Sequence, residues 1–354
     1  VALAGAAALS TLGGRTAATA AGEVMRLAAM AVMLLVVERL VADDPNRRGP
    51  LLGAAFASAV APVVMTAVQL GTGHGMINVH GLLRPHGTFW HPNVLGVYCA
   101  LMLTMAAGLL PHLETRHRGA LGVLATGLGV GLVAGYARGA WLAALAGLVV
   151  VALLTDRRIL AVLGVAVLVP IIAVPSVRDR ITDLGDASPG ASESSLTWRF
   201  EHWSEVLHLI GGNPVTGIGP GTARAALGKE VHNDYLRALA ETGVVGLLAY
   251  LALLAALVLT ARAALLATTD PRRAGPAPAR SIERGVAVGF AGTVAVVAVF
   301  ALADNVMTTV AVQWYLAAFA GIALATVRTD PAGGMRPIGG ARRLGGTRPS
   351  GGAR

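Results

Sequence analysis

The sequence predicts an all-α polytopic membrane protein with about nine transmembrane helices and an N-terminal remnant of a further one. Hydrophobic residues occupy 55% of the 354 positions and charged residues only 13%, whereas roughly a quarter of the residues in a soluble domain are charged. The mean hydropathy is +0.66. The apolar residues form long runs without the alternation that is typical of barrel strands. These features exclude a soluble globular protein and favour a helical bundle in a bilayer.

The apolar runs divide the chain into spans, one large polar loop and a tail. The first 14 residues, VALAGAAALSTLGG, resemble the end of an interrupted span, so we expect either residues upstream of Val1 or a non-standard start. A single transmembrane domain is predicted over 1–328, and it includes a helical extracytoplasmic loop, 176–242, between spans six and seven. The Gly, Pro and Arg content of 329–354 predicts a disordered, basic cytoplasmic tail. The predicted spans are 24–42, 50–70, 93–111, 119–137, 139–155, 159–177, 243–261, 285–303 and 309–327.

The distribution of Lys and Arg predicts the orientation of the chain in the membrane. The net charge is +9, and most of the basic residues fall in alternate short connections and in the tail. Positive residues of short loops stay on the cytoplasmic side, so the long loop, the 71–92 loop and the turn at Arg138 are predicted to lie outside. The basic residues do not alternate with aromatic residues, so nucleic acid is not expected as a partner.

Several other motifs have plain structural interpretations. Cys99 is the only cysteine and lies in an apolar run, so no disulfide or cysteine-based metal site is predicted. Four histidines of the 71–92 loop, at positions 74, 80, 86 and 91, have spacings that match no known metal site. The glycines of NPVTGIGPG follow no predicted strand, so they indicate a tight turn after Asn213 and not a nucleotide loop. Asp304 and Asn305 are expected to cap a short external turn. Neither a metal nor a cofactor is predicted.

Three external arginines are candidate ligands for an anion. Arg138, in YARGAWLA, separates two apolar runs. It either marks a helix end at the interface or faces the bundle interior as an anion clamp. Arg199 lies in LTWRFEHWSEVL, which is predicted to form an amphipathic interfacial helix. It either pairs with Glu201 or Glu205, or binds an anion. Arg84, in LLRPHGTFWHPN, is a third candidate donor.

His232 is the candidate acid/base residue of the long loop. It begins the segment VHNDYLRALAETG, in which Asn233 or Asp234 is expected to cap a helix that ends at Gly243. His232 would then lie at the positive end of that helix, which disfavours the imidazolium form and leaves a neutral nitrogen able to accept a proton. The alternative is a surface histidine without a chemical role.

Taken in order, these segments resemble the family of O-antigen ligases and O-antigen polymerases, which are bacterial membrane glycosyltransferases. The likeness runs from about Arg84 to Tyr250, through RPHGTFWHPNVLGVY, ARGAWLA, WRFEHW, NPVTGIGPG and VHNDYLRALAETGVVGL. It implies an enzyme of the cytoplasmic membrane that acts on its outer face without a metal. Such an enzyme moves a glycan from a polyprenyl diphosphate carrier onto a hydroxyl of a glycan, lipid or protein acceptor, with inversion at the anomeric carbon.

The resemblance also assigns roles to individual residues. Its diphosphate-binding arginines correspond to Arg138 and Arg199, and less directly to Arg84, and its external histidine corresponds to His232 as the base. A ligase, which delivers a finished glycan, and a polymerase, which joins repeat units, both fit this pattern. A transporter of the same lipid-linked glycan and a non-catalytic scaffold remain as alternatives. The expected supporting residues are Asn93, Asn233, Asp234 and Tyr235.

Overall fold

A computed structural model describes Gly5 and residues 17–79, 81–182, 196–269 and 277–328. Most of the predicted N-terminal remnant, residues 183–195 of the long loop and the whole tail 329–354 lie outside the described residues. The helices are α1 (Ala17–Asp43), α2 (Arg48–Ser58), α3 (Val60–Thr72), α4 (Pro92–Leu109), α5 (Thr115–Ala134), α6 (Arg138–Leu154), α7 (Ile159–Ala173), α8 (Pro175–Thr182), α9 (Leu196–Ile210), α10 (Thr222–Leu227), α11 (Asp234–Thr269), α12 (Ala277–Phe300) and α13 (Val310–Arg328). The strands are β1 (Ile77–Val79) and β2 (Leu82–Arg84).

The predicted all-α membrane class is confirmed. Each of the nine predicted spans falls largely on helix. Within the described residues, α6 and α7 are apolar but shorter than a full crossing. The total of nine crossings therefore stays a prediction. In the part of the chain that the structure describes, six segments are long and apolar enough to cross a membrane: Pro45–Thr72, Pro92–His112, Thr115–Ala134, Asp234–Thr269, Ser281–Phe300 and Val310–Arg328.

Two local features differ from a simple succession of spans. The 71–92 loop contains an antiparallel hairpin in which Ile77 pairs with Arg84, a conformation that suits the β-branched residues of β1. The predicted span 159–177 breaks at Val174, which is extended, and Pro175 begins the short helix α8. A residue before proline avoids the helical conformation, so the proline accounts for the early end of α7.

Helix α12 lies at the centre of the bundle, where it packs chiefly against α6 and α4. Glycines allow the close approach of these helices. A Cβ atom built on Gly108 would lie 2.4 Å from the backbone nitrogen of Gly289, and one built on Gly147 would lie 2.9 Å from the carbonyl oxygen of Gly292. Helices associate in membranes largely through such close packing. The central position of α12 holds the turn that follows it, residues 301–309, firmly against its neighbours.

Helix α11 is interrupted at Gly243, whose φ of 66° and ψ of −167° are not helical. The segment NPVTGIGPG fills the interruption and restores the lost backbone hydrogen bonds. The N–H of Ile218 donates to the carbonyl of Ala240 at 2.9 Å, and the N–H of Val244 donates to the carbonyl of Pro214 at 2.9 Å. The predicted helix end at Gly243 is thus confirmed. The glycine-rich segment thus packs against the parts of α11 on both sides of Gly243.

We expect Gly243→Ala to lower the free energy of unfolding by about 2 kcal/mol or more, because an L-residue is strained at this backbone conformation. The added Cβ would also lie 2.2 Å from the carbonyl oxygen of Val215. Thermal unfolding of the detergent-solubilised protein measures the loss. Gly164→Ala is the matched control, since a Cβ at Gly164 in α7 meets no atom within 4 Å. Equal midpoints for the two variants would contradict the prediction.

Candidate active site

A cavity of ≈560 Å³ lies where the turn after α12 meets the start of α11 and the start of α4. His232 and Asp304 are among its lining residues, together with His91 and Asn93. The predicted base and one of the predicted supporting residues therefore face the same space.

A chain of side-chain hydrogen bonds ends at His232. Its Nδ1 lies 3.0 Å from Oδ1 of Asp304, and Oδ2 of Asp304 accepts a hydrogen bond of 2.7 Å from Nδ2 of Asn93. Arg84 in turn donates to Oδ1 of Asn93 at 2.8 Å and to the carbonyl of Gly135 at 2.7 Å. A carboxylate only accepts, so Nδ1 of His232 carries the hydrogen and Nε2 carries the lone pair. This arrangement orients the imidazole and makes Nε2 the basic atom.

The start of α11 holds His232 in position. Asn233 caps the helix, because its Oδ1 accepts the N–H groups of Tyr235 at 3.0 Å and Leu236 at 3.1 Å. Asp234 does not act as the cap; its Oδ2 accepts the N–H of Met307 at 3.0 Å instead. His232 itself has a φ of 52°, an uncommon value for a residue with a side chain. Strain of this kind persists only where the surroundings enforce it.

The supporting residues attach this segment to α12 and the turn that follows it. The hydroxyl of Tyr235 donates to the carbonyl of Ala298 at 3.0 Å. The N–H of Asn233 donates to Oδ1 of Asn305 at 3.2 Å, and the N–H of Asp234 donates to the carbonyl of Ala301 at 2.9 Å. The four predicted supporting residues thus all contact the structure that surrounds His232, and three of them do so as positioning residues outside the cavity wall.

Arg199 contacts Ala303, the residue before Asp304, and Gly139, the residue after Arg138, lies beside Ala303. Arg199 donates from Nη1 to the carbonyl of Ala303 at 2.6 Å. Arg138 begins α6, and a Cβ built on the next residue, Gly139, would lie 2.8 Å from the Cβ of Ala303. Arg84 is 3% exposed, and its bonds to Asn93 and Gly135 tie the hairpin to the start of α4 and the end of α5. None of these three arginines is among the described residues that line the cavity.

The comparison with protein families concerns the same part of the chain. Residues 121–251 match the family model described as O-antigen ligase. This segment of the chain is similar to the O-antigen ligase family. The matched range contains Arg138, Arg199 and His232, whereas Arg84, Asn93 and Asp304 lie outside it. A search of curated proteins found no match.

The predicted direction of the pKa shift of His232 is wrong. The helix end was expected to favour neutral imidazole, but the pKa of His232 is raised. Burial acts to lower this pKa, and the hydrogen bond and negative charge of Asp304 more than offset the burial. Burial likewise acts to raise the pKa of Asp304, but the hydrogen bond and charge of His232 lower it to about 2. The carboxylate therefore stays ionised and makes His232 a stronger base.

Asp304 is the functional candidate that sequence reasoning missed. It was expected only to cap a turn, and it does accept the N–H of Asn305 at 2.9 Å. Its pairing with His232 spans 72 positions of the chain. The signal in the sequence was an aspartate in a predicted external connection between two spans. The residues around Asp304 do not indicate which distant side chain it contacts.

We expect Asp304→Asn to move the acidic limb of the pH–rate profile to lower pH. His232 must be neutral to accept a proton, and its raised pKa holds that limb above the value of an ordinary histidine. Without the carboxylate, burial and the charge of Arg199 both lower the pKa of His232. The plateau rate should fall about tenfold or more, because the amide no longer selects the Nδ1–H tautomer. Initial rates of glycan transfer against pH test this, and an unmoved limb would contradict it. Asp179→Asn, at an exposed position of α8, is the control.

Sequence reasoning also missed the charged residues that line the rest of the cavity. Arg237 lies 3.4 Å from Glu23 of α1 and 3.1 Å from Glu241, and Arg26 also pairs with Glu23. The two pairs within one helix have helical spacing, which is visible in the sequence. The pairing between α1 and α11 is a tertiary contact that spacing does not predict. Further charged lining residues are Arg224, Lys229 and Glu230.

Proposed function

We propose that this protein transfers a glycan from a polyprenyl diphosphate carrier to an acceptor hydroxyl at the outer face of the bacterial cytoplasmic membrane. The observation that carries the proposal is the His232–Asp304 pair on the wall of a large cavity in a membrane bundle. The match of the His232 segment to the O-antigen ligase family supports the choice of substrates.

The proposed step is a direct displacement at the anomeric carbon of the donor sugar. The acceptor hydroxyl loses its proton to Nε2 of His232 while its oxygen forms a bond to that carbon. The bond between the carbon and the diphosphate oxygen breaks, and its electron pair leaves with the diphosphate. Attack from the side opposite the leaving group inverts the configuration. A positioned base of this kind accelerates proton removal by roughly a hundredfold or more, and Asp304 stabilises the imidazolium that forms.

Arg138 and Arg199 are proposed to bind the diphosphate. Diphosphate leaves without protonation, so the transition state chiefly requires stabilisation of the negative charge that grows on it. Guanidinium groups are permanently charged and bind phosphate oxygens through two parallel hydrogen bonds. Arg84 remains a proposed third donor, and its contacts with Asn93 and Gly135 support a positioning role as well. With cationic side chains in this role, the reaction is proposed to need no metal. The described residues contain no group of three or more His, Cys, Asp or Glu that could hold a metal ion.

The membrane context supports the choice of a lipid-linked donor. The cavity is lined by residues of the segments that the positive-inside distribution assigns to the outside. A site at that level lets the polyprenyl chain stay in the bilayer while its diphosphate enters water. The extracytoplasmic position is part of the proposal.

Purified protein in liposomes tests the transfer directly. Carrier-linked glycan with a radioactive sugar is supplied together with acceptor, and the label is followed by extraction and gel analysis. Label that moves to the acceptor supports the proposed transfer. If the label crosses the bilayer while it stays on its carrier, the protein is a transporter and the proposed enzymatic function is wrong. Liposomes without protein are the control for spontaneous movement.

A ligase and a polymerase share this chemistry and differ in the acceptor. Mass analysis of the glycan that accumulates on the carrier in a deletion strain separates them. Full-length chains on the carrier support the proposed ligase. Single repeat units would identify the polymerase instead.

A further inference from the structure

A second histidine of the cavity, His91, has one ring nitrogen committed to the protein. His91 is the N-cap residue of α4, and its Nδ1 accepts the backbone N–H of Asn93 at 3.1 Å. A ring nitrogen that accepts a hydrogen bond carries no hydrogen, so the neutral ring bears its hydrogen on Nε2. The ring lines the cavity. His91 therefore offers the cavity an N–H donor.

The surroundings of His91 keep the ring neutral. Burial lowers the pKa of His91, and the positive charge of Arg84 lowers it further, while Asp304 acts in the opposite direction. The net direction is down. Protonation at Nδ1 would also remove the acceptor that caps α4. His91 is thus suited to donate a hydrogen bond and not to exchange protons.

Asn93 connects the two cavity histidines. The backbone N–H of Asn93 donates to His91, and the side chain of Asn93 donates to Asp304, which orients His232. Three consecutive hydrogen bonds therefore link the ring of His91 to the ring of His232. Capping alone does not explain a histidine here, because Ser, Asn and Asp are the preferred caps.

We propose that the Nε2–H of His91 donates a hydrogen bond to a substrate oxygen beside His232, which makes His91 a substrate-binding residue. This inference rests on the proposed function. Two substrates offer such an oxygen: the diphosphate of the lipid-linked donor and a sugar hydroxyl of the acceptor. The shared chemistry is an oxygen acceptor close to the reacting carbon.

His91→Ser and His91→Asn test the inference, since both side chains can still cap α4 but lack the Nε2–H. We expect wild-type thermal midpoints in detergent and transfer that is slower by about tenfold, the effect of one lost neutral hydrogen bond. The acidic limb of the pH–rate profile should stay in place, because His232 and Asp304 are unchanged. His74→Ser is the matched control; His74 is an exposed histidine of the same loop. Wild-type transfer by both His91 variants would overturn the inference.

The KM values identify which substrate His91 contacts. A KM that rises only for the carrier-linked glycan, extracted from the host membrane, indicates the diphosphate. A KM that rises only for the acceptor indicates the hydroxyl. A different outcome is that His91→Ser loses activity and has a lower thermal midpoint, while His91→Asn has both the wild-type activity and the wild-type midpoint. That outcome would show that His91 only caps α4, and it would overturn the inference. Wild-type protein that transfers nothing would overturn the proposed function and this inference together, whereas equal transfer by wild type and variants overturns only the inference.

Discussion

Replacing His232 with alanine should slow glycan transfer by at least about a hundredfold, which is the typical contribution of a positioned base. Among the described residues, His232 is the only lining histidine that combines a raised pKa with a carboxylate partner. Without the imidazole, no group at the position of Nε2 can take the proton from the hydroxyl of the acceptor substrate. The substitution also leaves Asp304 without its imidazole partner, so we do not expect Asp304 to restore the rate.

The measurement is transfer of labelled glycan in liposomes that contain equal amounts of folded protein. His208→Ala is the matched control, because His208 is an exposed histidine of α9, which precedes the His232 segment in the same loop. His208→Ala should retain the wild-type rate. If His232→Ala also transfers at that rate while its midpoint is unchanged, His232 is not the base and the proposed mechanism fails.

Arg138→Ala and Arg199→Ala should each slow transfer by about a hundredfold, equivalent to on the order of 3 kcal/mol in the barrier. Arg199→Ala removes a guanidinium group that donates to the carbonyl of Ala303, and Arg138→Ala removes the guanidinium group of the first residue of α6. Lysine should restore only part of the rate at either position, because an ammonium group cannot make two parallel hydrogen bonds to a phosphate. Arg178→Ala is the control, since Arg178 is an exposed arginine of α8.

The Arg199 variant has a second expected effect that a purely structural role of the side chain would not produce. The charge of Arg199 lowers the pKa of His232, so its removal raises that pKa further. The acidic limb of the pH–rate profile should therefore move to higher pH in Arg199→Ala, the direction opposite to that in Asp304→Asn. Wild-type rates in both arginine variants would contradict their role in diphosphate binding.

Local sequence signals predicted a large part of this molecule. The apolar runs located helices, because the preference of a side chain for the bilayer is a property of that side chain alone and adds along a span. The helix end at Gly243 was also predicted, and the cap was narrowed to Asn233 or Asp234, since both features depend on the conformational preferences of single residues. The hairpin of Ile77–Val79 and Leu82–Arg84 was not, because its segment is short and mostly polar.

The candidate site was predictable only in part. His232 and Asn93 could be selected from motifs, and the structure brings both to one cavity. The helix-end argument for the pKa of His232 failed because it considered one element, while the larger effect comes from a carboxylate on another. The lining charges Glu23 and Arg26 were overlooked since α1 lies outside the motifs that carried the resemblance.

By itself, the sequence determined the membrane class, the approximate helices and the residues able to bind phosphate or accept a proton, because these follow from composition and local spacing. Only the tertiary structure decided that Asp304 orients His232, that Asn93 connects His232 to His91 and Arg84, and that Arg199 approaches the same turn. These contacts join segments distant in the chain. They depend on the close packing of α12 against α4 and α6, which no local pattern encodes.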